Sequence, residues 1–411
     1  MANVSVKYLL IGGGAAVAQA AVGIREVDKE GSAMIVCQEP RLPYDRVPLT
    51  KGFLKFKPND PEDIESKDAS FYPNNNIEVR IGTEATKIDR AAKTVELSDG
   101  TVVTYEKLLL ATGATPKDPG IKGSDLANVT LFRTVDDGEL VRTAANDAEN
   151  VVLIGSGYIG MEIAASMTQR GKNVTVIARD SYPLSKSLSP ISGSFVQAYF
   201  ENNGIKFITN DEATEIAGDG KVQTVRTKNG HAPAADLVVI GAGVTLNTKL
   251  AKDADLPLDS AGAVKANRQF QTEDASIYVA GDIAAFEDAT AETQRHIEHF
   301  MNAKWTGKAA GRNMAGANED YDKVAYFFSD IFDLSFVLRG QGQAGRSAKV
   351  LGDVDTSEFV EVFADGSGTV VKALAFTTDA KKYDVINDAL EAVILAKKKA
   401  SELTLADVGL G

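Results

Sequence analysis

Tyr8-Leu9-Leu10-Ile11-Gly12-Gly13-Gly14-Ala15-Ala16-Val17 and Val151-Val152-Leu153-Ile154-Gly155-Ser156-Gly157-Tyr158-Ile159-Gly160 decide the fold. Each stretch runs an apolar strand into a G-x-G turn and on into an Ala-rich helix. A turn of this kind brings backbone N–H groups and a helix N-terminus up to a pyrophosphate. One such turn is a weak signal. Two in one chain point to two dinucleotides held by one protein, and the usual reason for that is electron transfer between them.

Outward from the first turn, strands are expected at 6–11, 33–37, 77–80, 85–88, 94–97, 101–105 and 107–111, with a helix at 15–27. Ser98-Asp99-Gly100 reads as a hairpin turn. The plan repeats from near Pro116, with a strand at Val151, a helix at 159–170, a strand at 173–178, a hairpin around Lys228-Asn229-Gly230 and a strand at 237–241. The chain returns to the first unit through the apolar strand that ends at Gly281-Asp282, followed by a helix from about 291 to 314. From about Tyr321 a third segment holds short strands (359–363, 370–376) and a closing helix, about 385–399. Lys397-Lys398-Lys399 suits the C-terminus of that helix.

At 411 residues the chain is too long for one core. With 44% hydrophobic and 25% charged residues it is ordinary globular material. No apolar run reaches the roughly 18 residues that span a bilayer, and the N-terminus enters strand residues without a basic leader. A cytoplasmic protein away from membranes is expected. The net charge of −13 argues against nucleic-acid binding. One cysteine, Cys37, excludes an internal disulfide and a CxxC redox pair. Its place at a strand end reads as a small buried apolar residue. No metal site is expected.

Further motifs occur in order. They are Leu42-Pro43-Tyr44-Asp45-Arg46-Val47-Pro48-Leu49-Thr50-Lys51, Ala111-Thr112-Gly113, Gly157-Tyr158-Ile159-Gly160-Met161-Glu162, Gly281-Asp282, Arg295-His296-Ile297-Glu298-His299 and Tyr326-Phe327-Phe328-Ser329-Asp330. The set resembles the FAD-dependent ferredoxin reductase family, which includes rubredoxin and monodehydroascorbate reductases and apoptosis-inducing factor. It departs from the family at Val17, where a third glycine is usual, at Phe328 and Phe300, where tryptophans are usual, and at Leu246, where proline is usual.

The resemblance implies an α/β fold of glutathione-reductase type. Two Rossmann-like dinucleotide-binding domains are joined by an α+β C-terminal interface domain. The FAD domain is then 1–113 and 245–320, the NAD(P) domain 114–244 and the interface domain 321–411. FAD is expected on Gly12, Gly13, Gly14 and Ala15. Glu39, with Gln38 beside it, is expected at the adenosine ribose. By resemblance Arg46, Lys51, Ala85, Ala111, Thr112, Gly113, Arg133, Gly281 and Asp282 also belong to the flavin site. Glu298 and His299 are expected there through backbone groups. Phe328 is expected against the isoalloxazine, with a plain core aromatic as the alternative.

The nicotinamide nucleotide is expected on Gly155, Gly157, Tyr158, Ile159, Gly160 and Gly243. Lys51 and Glu162 are paired in the family and are the expected catalytic residues, tuning the flavin by charge. A favourable helix-dipole interaction is the bland alternative for Glu162. NAD-specific proteins carry an acid at the end of the second strand. Here Ala178 takes that place and Arg179 follows, which favours NADPH over NADH. Asp180 pulls the other way.

The expected activity is FAD-dependent transfer from NAD(P)H to a small ferredoxin or rubredoxin. Lys381, Lys382 and Lys397–Lys399 are candidates for the basic surface such an acidic carrier needs. Direct reduction of a quinone, monodehydroascorbate or oxygen is the second expectation, and a slow redox-sensing flavoprotein the third. A homodimer is open.

Overall fold

A computed structural model describes residues 3–55, 64–288, 294–341 and 348–411. The chain divides into two compact units. The first is Met1–Arg46, Asp63–Thr115 and Thr245–Lys323; the second is Val47–Glu62, Pro116–Val244 and Val324–Gly411.

The first unit is built on parallel strands in the order Ile77–Arg80, Ala33–Val36, Asn3–Ile11, Val102–Leu110 and Ile277–Val279. Ala33–Val36 is buried along its whole length, as a strand covered on both faces must be. Val102–Leu110 does double duty. Its first half pairs antiparallel with Thr94–Leu97, and that strand pairs with Ala85–Asp89. The helices Ala15–Val27 and Phe300–Met314 cover one face. They approach closely because small residues meet: a Cβ on Gly307 would lie 2.2 Å from the Ala16 carbonyl oxygen, and one on Gly311 would lie 2.1 Å from that of Ala20. Val17, the departure from a third glycine, is fully buried in this core.

The expected helix from 291 begins later. Gln294–His296 is a strand paired with Ala284–Glu287, and the helix starts at Phe300 with His299 as its cap. Residues 291–293 lie outside the described residues.

The second unit repeats the parallel plan in the order Lys206–Ile208, Asn173–Ile177, Asn150–Ile154, Leu237–Ile240 and Val129–Leu131. It also holds an antiparallel sheet in the order Tyr326–Ile331, Leu334–Gly340, Val370–Thr377, Glu358–Ala364 and Lys349–Asp353. One face of that sheet packs Val337, Val360, Val362, Ala373 and Ala375 against Ile386, Leu390 and Val393 of the helix Ala380–Leu395. The other face carries Phe336, Phe359 and Phe376, with Phe195 of the helix Pro190–Asn202 packed edge-on. No helix among the described residues is long and apolar enough to cross a membrane.

Candidate functional site

The two glycine turns are built alike. In the first unit Gly12 has φ +146°, and a Cβ there would lie 2.3 Å from the Ala111 carbonyl oxygen. In the second unit Gly155 has φ +108°, and its Cβ would lie 2.3 Å from the Gly241 carbonyl oxygen. Only glycine fits either place. Gly14 and Gly157 differ from them: among the described residues a Cβ on either would meet nothing within 4 Å.

These two glycines are the N-caps of Ala15–Val27 and Tyr158–Gln169. Both helices lack a side-chain cap and an acid in the first turn. The other described helices of eight residues or more are capped by Thr134, Ser189, His299 and Asp379. First-turn N–H groups with no side-chain cap, next to a glycine with room beside it, are what a pyrophosphate needs. The residues present fit a dinucleotide at each turn.

Around the first turn, Ala15 opens the buried helix face. Tyr44 donates its amide to the Gly13 carbonyl at 3.3 Å. Glu39 is half-buried: one carboxylate oxygen lies 2.6 Å from Arg46 Nη2, and the other accepts from the Tyr44 hydroxyl at 2.6 Å. Two expected cofactor residues therefore hold each other directly, and Tyr44, which sequence reading placed in a motif but gave no role, bonds both. Gln38 is exposed. Cys37 is fully buried with Sγ 3.3 Å from the Gly12 carbonyl oxygen, and burial pushes its thiol up to about 12. Thr83 donates its amide to the Cys37 carbonyl at 2.9 Å, which sets the approach of the strand that starts at Ala85.

Ala111-Thr112-Gly113 is tied down by Asn247. The Asn247 side chain donates to the Thr112 carbonyl at 3.0 Å, its amide donates to the Gly113 carbonyl at 2.9 Å, and its own carbonyl accepts from the Thr112 hydroxyl at 2.6 Å. Gly281 has φ +71°, and a Cβ there would lie 3.2 Å from that of Ala16. The Gly281–Asp282 turn therefore abuts the start of the first helix. His296 Nε2 donates to the Asp282 carbonyl at 2.7 Å. His299 Nδ1 accepts from the Met301 amide at 3.3 Å, and Glu298 is exposed.

Lys51, Arg133, Glu162 and Phe328 belong to the second unit. Lys51 Nζ lies 3.4 Å from Glu162 Oε1 and 5.9 Å from the Phe328 ring centre. Glu162 accepts from the Thr50 hydroxyl and from the Ser329 hydroxyl, each at 2.6 Å. Thr50 and Ser329 sit inside quoted motifs, yet only the folded chain shows them on the Glu162 carboxylate. Phe328 stacks on Tyr326 at 5.8 Å, and Arg133 donates its amide to Asp137 at 2.9 Å.

At the second turn Tyr158 packs on Phe327 and Phe336, and burial pushes its hydroxyl up to about 12. Ile159 is 43% exposed, a Cβ on Gly160 would lie 2.5 Å from the Gly155 carbonyl oxygen, and Gly243 has φ +94° with open space around it. Ala178 is buried, and Arg179 and Asp180 are exposed. The Asp180 carboxylate accepts from the Ser185 hydroxyl at 2.6 Å, and among the described residues it makes no ion pair with Arg179.

A chain with two such turns, on two parallel sheets, is an oxidoreductase of the two-dinucleotide class. The pyridine nucleotide-disulphide oxidoreductase family model matches residues 6–307, and the chain belongs to that family, whose cofactors are FAD and NAD(P)H. It is 31% identical to rubredoxin-NAD(+) reductase of Pseudomonas putida, over 81% of this chain and 86% of that one. It is 30% identical to human apoptosis-inducing factor 3 over 90% of its own length, which spans only 60% of that protein. The ferredoxin reductase for the CYP199A2 system of Rhodopseudomonas palustris superposes with a TM-score of 0.85 at 28% identity, covering 96% of this chain and 98% of that one.

Proposed function

We propose that this protein takes a hydride from a nicotinamide dinucleotide with FAD as its prosthetic group and passes electrons to a ferredoxin- or rubredoxin-type carrier. The observation that supports this most is the duplicated turn, open at Gly14 and at Gly157, each on a helix with no cap of its own. Bound FAD supplies the conversion of a two-electron donor into one-electron steps. The chain's residues supply binding and charge. Gly12–Ala15, Glu39 and Arg46 hold the flavin nucleotide; Gly155–Gly160 hold the nicotinamide nucleotide. Glu162, with both oxygens engaged by Thr50 and Ser329, keeps the Lys51 ammonium in place.

The reductant turns on 178–180. Arg179 supports a 2′-phosphate, whereas among the described residues Asp180 has a carboxylate oxygen left for a ribose hydroxyl, and a similar reductase is named for NAD(+). NADH is the first reductant in this reading, and Arg179 lets NADPH substitute. Purified protein is expected to be yellow. Anaerobic addition of NADH bleaches it, and cytochrome c reduction then requires added ferredoxin or rubredoxin. Protein that stays colourless after flavin is supplied sinks the reading. Arg179→Ala is expected to lower kcat/KM for NADPH about tenfold and leave NADH within about twofold.

One observation favours direct reduction of a small molecule instead. Of the five lysines read as a carrier surface, two are ion-paired with carboxylates within the second unit and a third is held by neutral oxygens. Lys382 pairs with Glu358, Lys398 pairs with Asp407, and Lys399 bonds Ser367 and Thr369. NADH-dependent quinone reduction faster than that of every carrier tried would decide for it.

A further inference from the structure

The segment 181–188 joins the strand Asn173–Ile177 to the helix Pro190–Asn202 and folds back on the second glycine turn. Leu184, at φ +56°, donates its amide to the Ser156 carbonyl at 2.9 Å. Tyr182 lies so close on Gly193 that a Cβ there would meet its ring at 2.1 Å. The Ser187 side chain approaches the Tyr158 hydroxyl. The segment therefore contacts the middle residue of G-x-G and the aromatic that follows it.

One more tie comes from the antiparallel sheet. Lys372, in Val370–Thr377, is 4% exposed, and its Nζ donates to the Ser187 carbonyl at 2.8 Å. Phe363 faces Lys372 across the ladder and its ring centre lies 4.8 Å from the ammonium. Glu361 stands two residues along the same face, a diagonal cross-strand neighbour of Lys372. It is completely buried, and among the described residues neither carboxylate oxygen has a hydrogen-bond partner. Burial lowers the proton affinity of Lys372 while the Glu361 charge opposes that change. An apolar pair of the same volume would serve packing better than two buried charges. Among the described residues the Ser187 carbonyl is the group to which the ammonium donates.

We propose that Lys372 is a positioning residue for the nicotinamide nucleotide: it fixes 181–188 against the Gly155–Gly160 turn through the Ser187 carbonyl, with Glu361 as its buried countercharge. This rests on reading that turn as the nicotinamide-nucleotide site. The sheet that contributes no residue to the turn thus sets nucleotide affinity.

The test is steady-state reduction of ferricyanide by NADH with the flavin-loaded protein, alongside flavin content and Tm. Lys372→Met is expected to raise KM for NADH about tenfold with kcat within about twofold. Lys372→Arg, which keeps a charged donor, stays near wild type in KM. Glu361→Gln raises KM by a smaller factor. Lys372→Met with Glu361→Gln removes the stranded carboxylate, so Tm recovers while KM stays about tenfold high. If KM returns to wild type together with Tm, or if Lys372→Met leaves KM unchanged, the proposal is overturned. Should Lys372→Met alone fail to fold, the double variant and Lys372→Arg decide. Wild type that no nicotinamide nucleotide reduces ends the reading of the turn itself, and the proposal with it.

Discussion

Gly12 and Gly14 stand in one turn and are needed for opposite reasons. Gly12 is required by the chain itself, because a side chain would run into the Ala111 carbonyl at a positive φ. Gly12→Ala is expected to cost about 2 kcal/mol in urea unfolding of the flavin-free protein. Gly14 has open space around it. Gly14→Ala should leave the flavin-free stability within about 0.5 kcal/mol and still lower the flavin retained on purification, because the methyl enters the cradle. Full flavin retention by Gly14→Ala would show that the dinucleotide sits elsewhere. At Glu162 the charge is the issue. Glu162→Gln keeps the shape and removes the negative charge beside Lys51. A fall of about tenfold in kcat with NADH is expected, with flavin content unchanged.

Element ends show how local chemistry sets the boundaries. Asp28 closes the first helix and accepts from Lys7 Nζ at 2.7 Å, the Tyr8 hydroxyl at 2.8 Å and the amides of Gly31 and Glu30. The Lys7 ammonium and then these backbone donors hold its carboxyl well below the usual range. A depressed carboxyl contributes stability that is present above its unfolded value of about 3.9 and is lost as pH falls below it. Asp28→Asn is therefore expected to lower Tm at neutral pH, and the gap to wild type should close as the pH is taken down through that range.

The last helix runs Ala380–Leu395 rather than about 385–399, because Asp379 caps its start and Lys397 turns to φ +50° at its end. The lysines read as its final turn instead lie beyond it, where Lys398 pairs with Asp407 and Lys399 reaches Ser367 and Thr369. Leu390, fully buried under the antiparallel sheet, is the apolar anchor of this helix. Leu390→Ala should cost about 2–5 kcal/mol in thermal or urea unfolding.

At the scale of the whole molecule, each unit should be stabilised by its own ligand. Removing flavin should lower Tm and refilling restore it; a ligand at 1,000 times its Kd contributes about 4 kcal/mol. A Tm that flavin leaves unmoved would contradict the reading of the first unit.

The two parallel sheets, the glycine turns and the order of the motifs were legible in the sequence, because these features are local. A strand that enters a positive-φ glycine beside another strand's carbonyl tolerates no other residue, so Gly12 and Gly155 announce themselves. The helix start at Phe300 was not legible, since Ala303 to Gly311 reads as helix in both directions and only pairing with Ala284–Glu287 takes 294–296 out of it. What the sequence by itself determined was the pair of strand–glycine–helix turns and the family. Tertiary structure alone decided that Tyr44 joins Glu39 to Arg46, that Thr50 and Ser329 meet on Glu162, and that Lys372 reaches the Ser187 carbonyl. Long polar side chains carry no periodic signal, and their partners are chosen by where distant strands come to lie.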